Sequence, residues 1–172
     1  MLQQIATRDH RLMRRVNNWR PPKWVQLWMV AATRAGDGWL WYATGVLVLL
    51  YGGTRRLEAI AAASTAAAIG SLLFVIIKRT TGRRRPCEIA PHCWATLLPP
   101  DQFSFPSGHT ISAFAAAIPF GLFYPAILPF LLFCAFSIAA SRIVLGMHFL
   151  SDVVVGAGLG VALGYTACIL YR

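Results

Sequence analysis

Charge is scarce in this chain. Asp, Glu, Lys and Arg together make up 13% of its 172 residues, while hydrophobic side chains make up 57%. A balance of that kind would aggregate in water and suits lipid. The few charges are also segregated. Gly38–Thr54, Ala59–Ile77, Thr110–Ser141 and Val153–Tyr171 contain none. A helix crosses the hydrocarbon core with about 20 residues, about 17 at the least. The stretch from 110 to 141 is 32 residues long, room for two spans and a turn. These runs predict membrane helices near 38–54, 57–79, 108–124, 126–145 and 149–171, because in lipid each backbone amide must be satisfied within its own segment.

Other absences narrow the function. No internal repeat is present. Gly156-Ala157-Gly158-Leu159-Gly160 follows no strand and lacks G-x-G-x-x-G spacing, which excludes a dinucleotide loop. Glycines at 156, 160 and 164, like the small residues from Ala61 to Ser71, are instead spaced for close helix packing. Of the four cysteines, Cys134 and Cys168 fall inside apolar spans and read as packing residues. Cys87 and Cys93 share a polar loop with His92 but lack the C-x2-C spacing of a zinc site. They suit a disulfide if the loop faces an oxidising compartment. The net charge of +10 comes without aromatic residues interleaved among the basic ones, so nucleic acid is not the expected partner. Six of the Lys and Arg fall within residues 1–23, where they suit lipid headgroups, and six more cluster in three polar motifs, where they suit an anion. The first apolar stretch lies well behind the basic segment, so no cleavable signal peptide is expected.

The organisation follows. Residues 1–20 predict an interfacial helix ended by Pro21-Pro22. Trp24–Thr33 is apolar but too short to cross, and Trp24 and Trp28 favour the headgroup level. Asp37 is expected to cap the first full span. The chain thus divides into a basic interfacial segment, 1–36, and a transmembrane core, 37–172, with a polar loop over 80–106 as the roof of a site. The expected fold is all-α, a polytopic membrane bundle of five spans, or six if residues 18–36 cross. With five, the basic N-terminus and the site share a side that the positive-inside rule makes cytoplasmic; with six, the site becomes periplasmic.

Three motifs sit at the ends of the long apolar runs. The first runs from Lys78 through Arg85-Pro86, the second is Pro106-Ser107-Gly108-His109, and the third is Ser141-Arg142 followed by His148 and Asp152. Lys78, Arg85 and Arg142 provide three cations for phosphoryl oxygens. Ser107 and Gly108 open a helix whose N-terminus attracts anions, with His109 in its first turn. His148 and Asp152 are four apart, so one helical turn would put them on a common face, the carboxylate fixing the ring and leaving one nitrogen free to attack. Charge for phosphoryl transfer is thereby supplied without a metal or cofactor.

K-x6-R-P, P-S-G-H and S-R-x5-H-x3-D, all complete between Lys78 and Asp152, resemble the signature of the type 2 phosphatidic acid phosphatase family. The resemblance implies an all-helical core and a metal-independent phosphatase. It implies that His148 is a nucleophile forming a phosphohistidine, that Asp152 orients it, and that His109 protonates the leaving oxygen and then activates water. Lys78, Arg85, Arg142, Ser107 and the Gly108 amide would hold the phosphoryl oxygens. The expected substrate is a lipid phosphate or diphosphate, such as undecaprenyl diphosphate, phosphatidic acid, phosphatidylglycerophosphate or a lipid A phosphate, in a bacterial inner membrane. A lipid phosphotransferase, and a transporter whose basic site only binds, are the alternatives. Oriented His148 and Asp152 argue against the transporter, since binding alone needs no nucleophile.

Overall fold

The computed structural model describes residues 2–89 and 103–172. Cys93 and His92, and with them the disulfide and zinc readings, lie outside the described residues. The elements are α1 (Leu2–Asn18), α2 (Lys23–Ala35), α3 (Trp39–Tyr51), α4 (Arg56–Thr81), a short α5 (Pro86–Ile89), α6 (Gly108–Phe123), α7 (Leu128–Val144) and α8 (Leu150–Leu170). The chain is an all-helical, polytopic membrane bundle. The five apolar runs emerge as α3, α4, α6, α7 and α8. Three segments are long and apolar enough to cross a bilayer: Gly53–Thr81, Pro125–Val144 and Leu150–Leu170. The other two apolar helices are shorter than expected, Trp39–Tyr51 and Gly108–Phe123.

α6 is the central helix, packed against α4, α7 and α8. Its residues Ala113, Phe114, Ala115, Ala116, Ala117 and Phe120 are buried with Ala59, Ala62, Ala63 and Ala66 of α4. Close approach to α8 depends on glycine. A Cβ on Gly160 would stand 2.5 Å from the Ile111 carbonyl oxygen and 2.8 Å from Cβ of Phe114. The surface of the bundle is correspondingly apolar, with Leu72, Ile76, Phe130, Phe136, Val154 and Ile169 among the exposed large side chains. In water such a surface would be a liability; in lipid it is the solvent-facing side.

The short α6 positions the site. Gly108, its first residue, lies against the Phe74 ring, where a Cβ would come within 3.0 Å. Phe74 is seven residues short of the end of α4, so α4 runs on about 10 Å beyond the start of α6 at 1.5 Å per residue. A recess is left above the α6 N-terminus, inside the bundle's polar end.

α1 and α2 wrap that same end. α1 buries Asp9 and Met13 and exposes Arg8, Arg11, Arg14 and Arg15. α2 packs against α7, with Trp28 stacked on Phe133 at 5.8 Å. Asp37 does not cap α3. Gly38 holds the N-cap position at φ 115 with no side-chain cap, a backbone conformation that favours glycine, and Asp37 is engaged elsewhere.

Candidate active site

The three motifs converge through local pairing. α4 stops at Gly82, which is left-handed at φ 58. Residues 83–85 then run beside 103–105. Arg84 bridges Phe103, the Ser104 amide donates to the Arg83 carbonyl at 2.7 Å, and the Ser104 hydroxyl donates to the Arg84 carbonyl at 3.2 Å. This staple sets Arg85 and the Ser104 carbonyl beside the turn between α7 and α8. That turn is itself tied down, since the amides of Met147 and His148 both donate to the Arg142 carbonyl, at 3.1 and 3.0 Å.

His148 is therefore not on a helix, because α8 begins only at Leu150. Its Nδ1 lies 2.5 Å from the Ser104 carbonyl oxygen and 3.7 Å from Oδ2 of Asp152. A carbonyl can only accept, so Nδ1 carries the proton and Nε2 carries the lone pair. Nε2 sits 3.3 Å from Nη1 of Arg85, a guanidinium that also donates to the Met147 carbonyl at 2.9 Å. Burial, reinforced by the nearby Arg142 and Arg85 charges, lowers the His148 pKa from 6.5 to about 4, against the opposing pull of Asp152. The ring is neutral at pH 7 and its free nitrogen is Nε2. The local spacing suggested that Asp152 alone would fix the tautomer; the nearer acceptor is Ser104, brought in by a loop 44 residues away.

Asp152 is fully buried behind that ring. Its Oδ2 accepts from the Phe149 amide at 2.8 Å, and Oδ1 accepts from Nη1 of Arg83 at 2.6 Å. In the sequence Arg83 stands between the two expected cations of its motif, at a position that their spacing does not single out. Its Nη2 also reaches Asp9 of α1 at 2.7 Å.

The other histidine is held differently. Nε2 of His109 lies 2.8 Å from Oδ1 of Asp37. Gly36 makes this possible, since a Cβ there would press on the His109 ring at 3.0 Å and on Ile138 at 2.9 Å. Arg142 donates to the buried Thr33 hydroxyl of α2. Lys78 is buried at the end of α4 with its ammonium 4.4 Å from the centre of the Phe74 ring. Ser107 holds the N-cap position of α6, but its hydroxyl bonds Thr110 at 2.8 Å and caps no amide.

These groups surround a cavity of about 480 Å³. Lys78, Arg85, Gly108, His109, Arg142 and His148 all line it, joined by Asp37. Ser107 and Asp152 stand behind the lining. Among the described residues no group of three His, Cys, Asp or Glu side chains is placed to hold a metal. Three cations, a helix N-terminus, a neutral imidazole with a free lone pair and a second imidazole against a carboxylate therefore share one recess.

Residues 59–172 match the model of the PAP2 superfamily. The chain belongs to that superfamily. Two relatives are decaprenylphosphoryl-5-phosphoribose phosphatase of Mycobacterium tuberculosis and lipid A 1-phosphatase of Rhizobium etli. The first is 38% identical over 128 residues, covering 74% of this chain and 68% of that protein. The second is 32% identical over 113 residues, covering 62% and 48%. Among solved structures, that of Aquifex aeolicus LpxE aligns with a TM-score of 0.75 at 28% identity, covering 91% of this chain and 92% of the other. A transmembrane PAP2 type phosphatidylglycerolphosphate phosphatase from Bacillus subtilis shares the fold at 23% identity and a TM-score of 0.74, over 97% and 86% of the two chains. As a PAP2 protein the chain is a phosphatase. The PAP2 match begins at residue 59, so Asp9, Thr33 and Asp37, each bonded to a residue of the three motifs, lie outside it.

Proposed function

We propose that the protein hydrolyses a lipid phosphate or diphosphate through a phosphohistidine on His148, without a metal. The observation that carries this reading is the contact of His148 Nδ1 with the Ser104 carbonyl, which leaves Nε2 as the lone-pair nitrogen, in the same cavity as Arg85, Arg142, Lys78 and His109. Nε2 attacks phosphorus, and the bond from phosphorus to the lipid oxygen breaks. His109 gives that oxygen its proton, then takes one from a water that attacks the phosphohistidine and releases inorganic phosphate. Lys78, Arg85, Arg142 and the amide at Gly108 balance the charge on the phosphoryl oxygens. Ser107 and Asp152 support this set from behind, Asp152 by steadying the His148 ring.

The apolar exterior and the recessed polar end suit a substrate whose headgroup enters the cavity while its chain stays in the bilayer. Undecaprenyl diphosphate, phosphatidic acid, phosphatidylglycerophosphate and lipid A phosphates are the candidates, in the inner membrane of a bacterium. Residues 1–36 form the interfacial segment, with the exposed arginines of α1 against anionic headgroups. The test is phosphate release by the purified protein from each of these lipids in mixed micelles, in excess EDTA, with His148→Ala in parallel. The reading expects turnover that survives EDTA and disappears with His148→Ala. Loss in EDTA with recovery on adding magnesium would overturn the metal-free step. Transfer of phosphate to a second lipid, with none released, would make the protein a phosphotransferase.

A further inference from the structure

We propose that Asp9 is a positioning residue for the nucleophile, acting through Arg83 on Asp152. The inference rests on the reading of His148 as the group that attacks phosphorus. The Asp9 side chain is 3% exposed although it sits on a helix that is otherwise basic and largely solvent-facing. Its Oδ1 accepts from the Ser151 amide at 3.1 Å, and its Oδ2 accepts from the Ser151 hydroxyl at 2.5 Å and from Nη2 of Arg83 at 2.7 Å. Arg83 spans the gap. Nη1 donates to Oδ1 of Asp152 at 2.6 Å and to the Ser151 hydroxyl at 2.7 Å, and the guanidinium lies 4.1 Å over the Phe149 ring. A planar fork is therefore fixed at both ends and on one face.

Two carboxylates thus share one guanidinium. With Asp9 ionised, the three groups carry a net negative charge behind His148. Attack by Nε2 places positive charge on the imidazole ring, and that charge is stabilised by a carboxylate that remains uncompensated nearby. Neutralising Asp9 leaves Arg83 paired with Asp152 alone, so the cluster behind the ring becomes neutral and the guanidinium is free to shift towards the one remaining carboxylate. The expected loss is in the chemical step and not in substrate binding, because neither Asp9 nor Arg83 lines the cavity. The residue lies 50 positions before the PAP2 match begins, so the N-terminal helix would belong to the reacting apparatus as well as to the membrane surface.

The test is a double-mutant cycle on the full chain in detergent, with Asp9→Asn, Arg83→Gln and the double variant. Asp9→Asn should lower kcat about tenfold, a typical cost for a residue that orients a reacting one, with KM within about twofold of wild type. In the Arg83→Gln background the same substitution should change kcat less than about twofold, because the path is already cut. Asp9→Glu, which keeps the charge, should recover most of the loss. Equal losses in both backgrounds, or a wild-type kcat for Asp9→Asn, overturns the proposal. If Asp9→Asn does not fold, Arg83→Lys replaces it. One ammonium cannot bridge two carboxylates as the fork does, so kcat should again fall about tenfold, and a wild-type kcat overturns the proposal. His148→Ala is measured beside them. Turnover in that variant sinks the reading of the nucleophile, whereas an inactive His148→Ala with a fully active Asp9→Asn sinks only the role of Asp9.

Discussion

Asp37 and His109 meet at 2.8 Å although 72 residues separate them in the chain. The carboxylate sits in the turn that joins α2 to α3, the imidazole sits in the first turn of α6, and both line the same cavity. An imidazole that must lend a proton and take it back needs a fixed orientation and a counter-charge at the moment it is protonated. On the proposed role of His109, Asp37 is the group that supplies both.

Replacing Asp37 with Ala should therefore slow turnover without abolishing it. General acid–base catalysis contributes about 10²- to 10⁴-fold, so loss of the orienting partner should cost no more than that and is expected near tenfold. kcat on a lipid phosphate, compared with that of His109→Ala, measures it. A wild-type kcat for Asp37→Ala would show that the contact is ornamental.

The buried His148 should make the fold sensitive to acid. Its pKa is about 4 in the folded protein against 6.5 for the free side chain. As pH falls below 6.5 the unfolded chain takes up the proton first, so the folded state loses ground until about pH 4, and above 6.5 the group contributes no pH dependence. The slope approaches about 1.4 kcal/mol per pH unit, giving about 3 kcal/mol over the window. Melting of the detergent-solubilised protein at pH 7 and pH 5 should show the decline. The same pair of melts on His148→Gln should show it reduced, and an undiminished decline in that variant would assign the effect to other groups.

The stripe of glycines on α8 allows a comparison two residues apart. A Cβ on Gly160 would clash with the Ile111 carbonyl and Phe114, whereas nothing lies within 4 Å of a Cβ on Gly158. Gly160→Ala should destabilise the bundle by about 1–3 kcal/mol, the usual cost of overpacking. Gly158→Ala should leave the melting temperature unchanged or raise it slightly, since alanine favours helix over glycine. Equal shifts in the two variants would mean that α6 and α8 do not approach as closely as described.

The helices were readable from the sequence for one physical reason. Charge-free runs and four-residue glycine spacing are local patterns, and lipid turns them into helices and contacts with little ambiguity. Lys78, Arg85 and Arg142 were conspicuous because they recur at set offsets within three motifs; Lys78 alone could equally have been a cation snorkelling to the interface. Asp37, Arg83, Ser104 and Asp9 were not. Asp37 stood where a helix cap was expected, and its partner His109 comes from α6, 72 residues further along the chain. Ser104 acts through its backbone carbonyl, which no side-chain pattern marks. Asp9 and Asp152 lie at opposite ends of the chain and are bridged by Arg83. A lone carboxylate in an otherwise basic helix was the one hint that α1 carries more than headgroup contacts.

The two histidines can be separated by the leaving group. His109 stands against Asp37 and is assigned the proton that the lipid oxygen needs as its bond to phosphorus breaks. An alkoxide is a poor leaving group and depends on that proton, whereas an aryl oxide leaves with less help. His109→Ala should therefore slow hydrolysis of a lipid phosphomonoester far more than hydrolysis of an aryl phosphate. On the proposed mechanism His148 forms the bond to phosphorus in either case, so His148→Ala should abolish both activities alike. The ratio of the two rates, measured for wild type and for each variant, isolates the proton from the nucleophile. If His109→Ala slows both substrates by the same factor, the imidazole beside Asp37 is not the acid, and its role reduces to holding phosphate in the cavity.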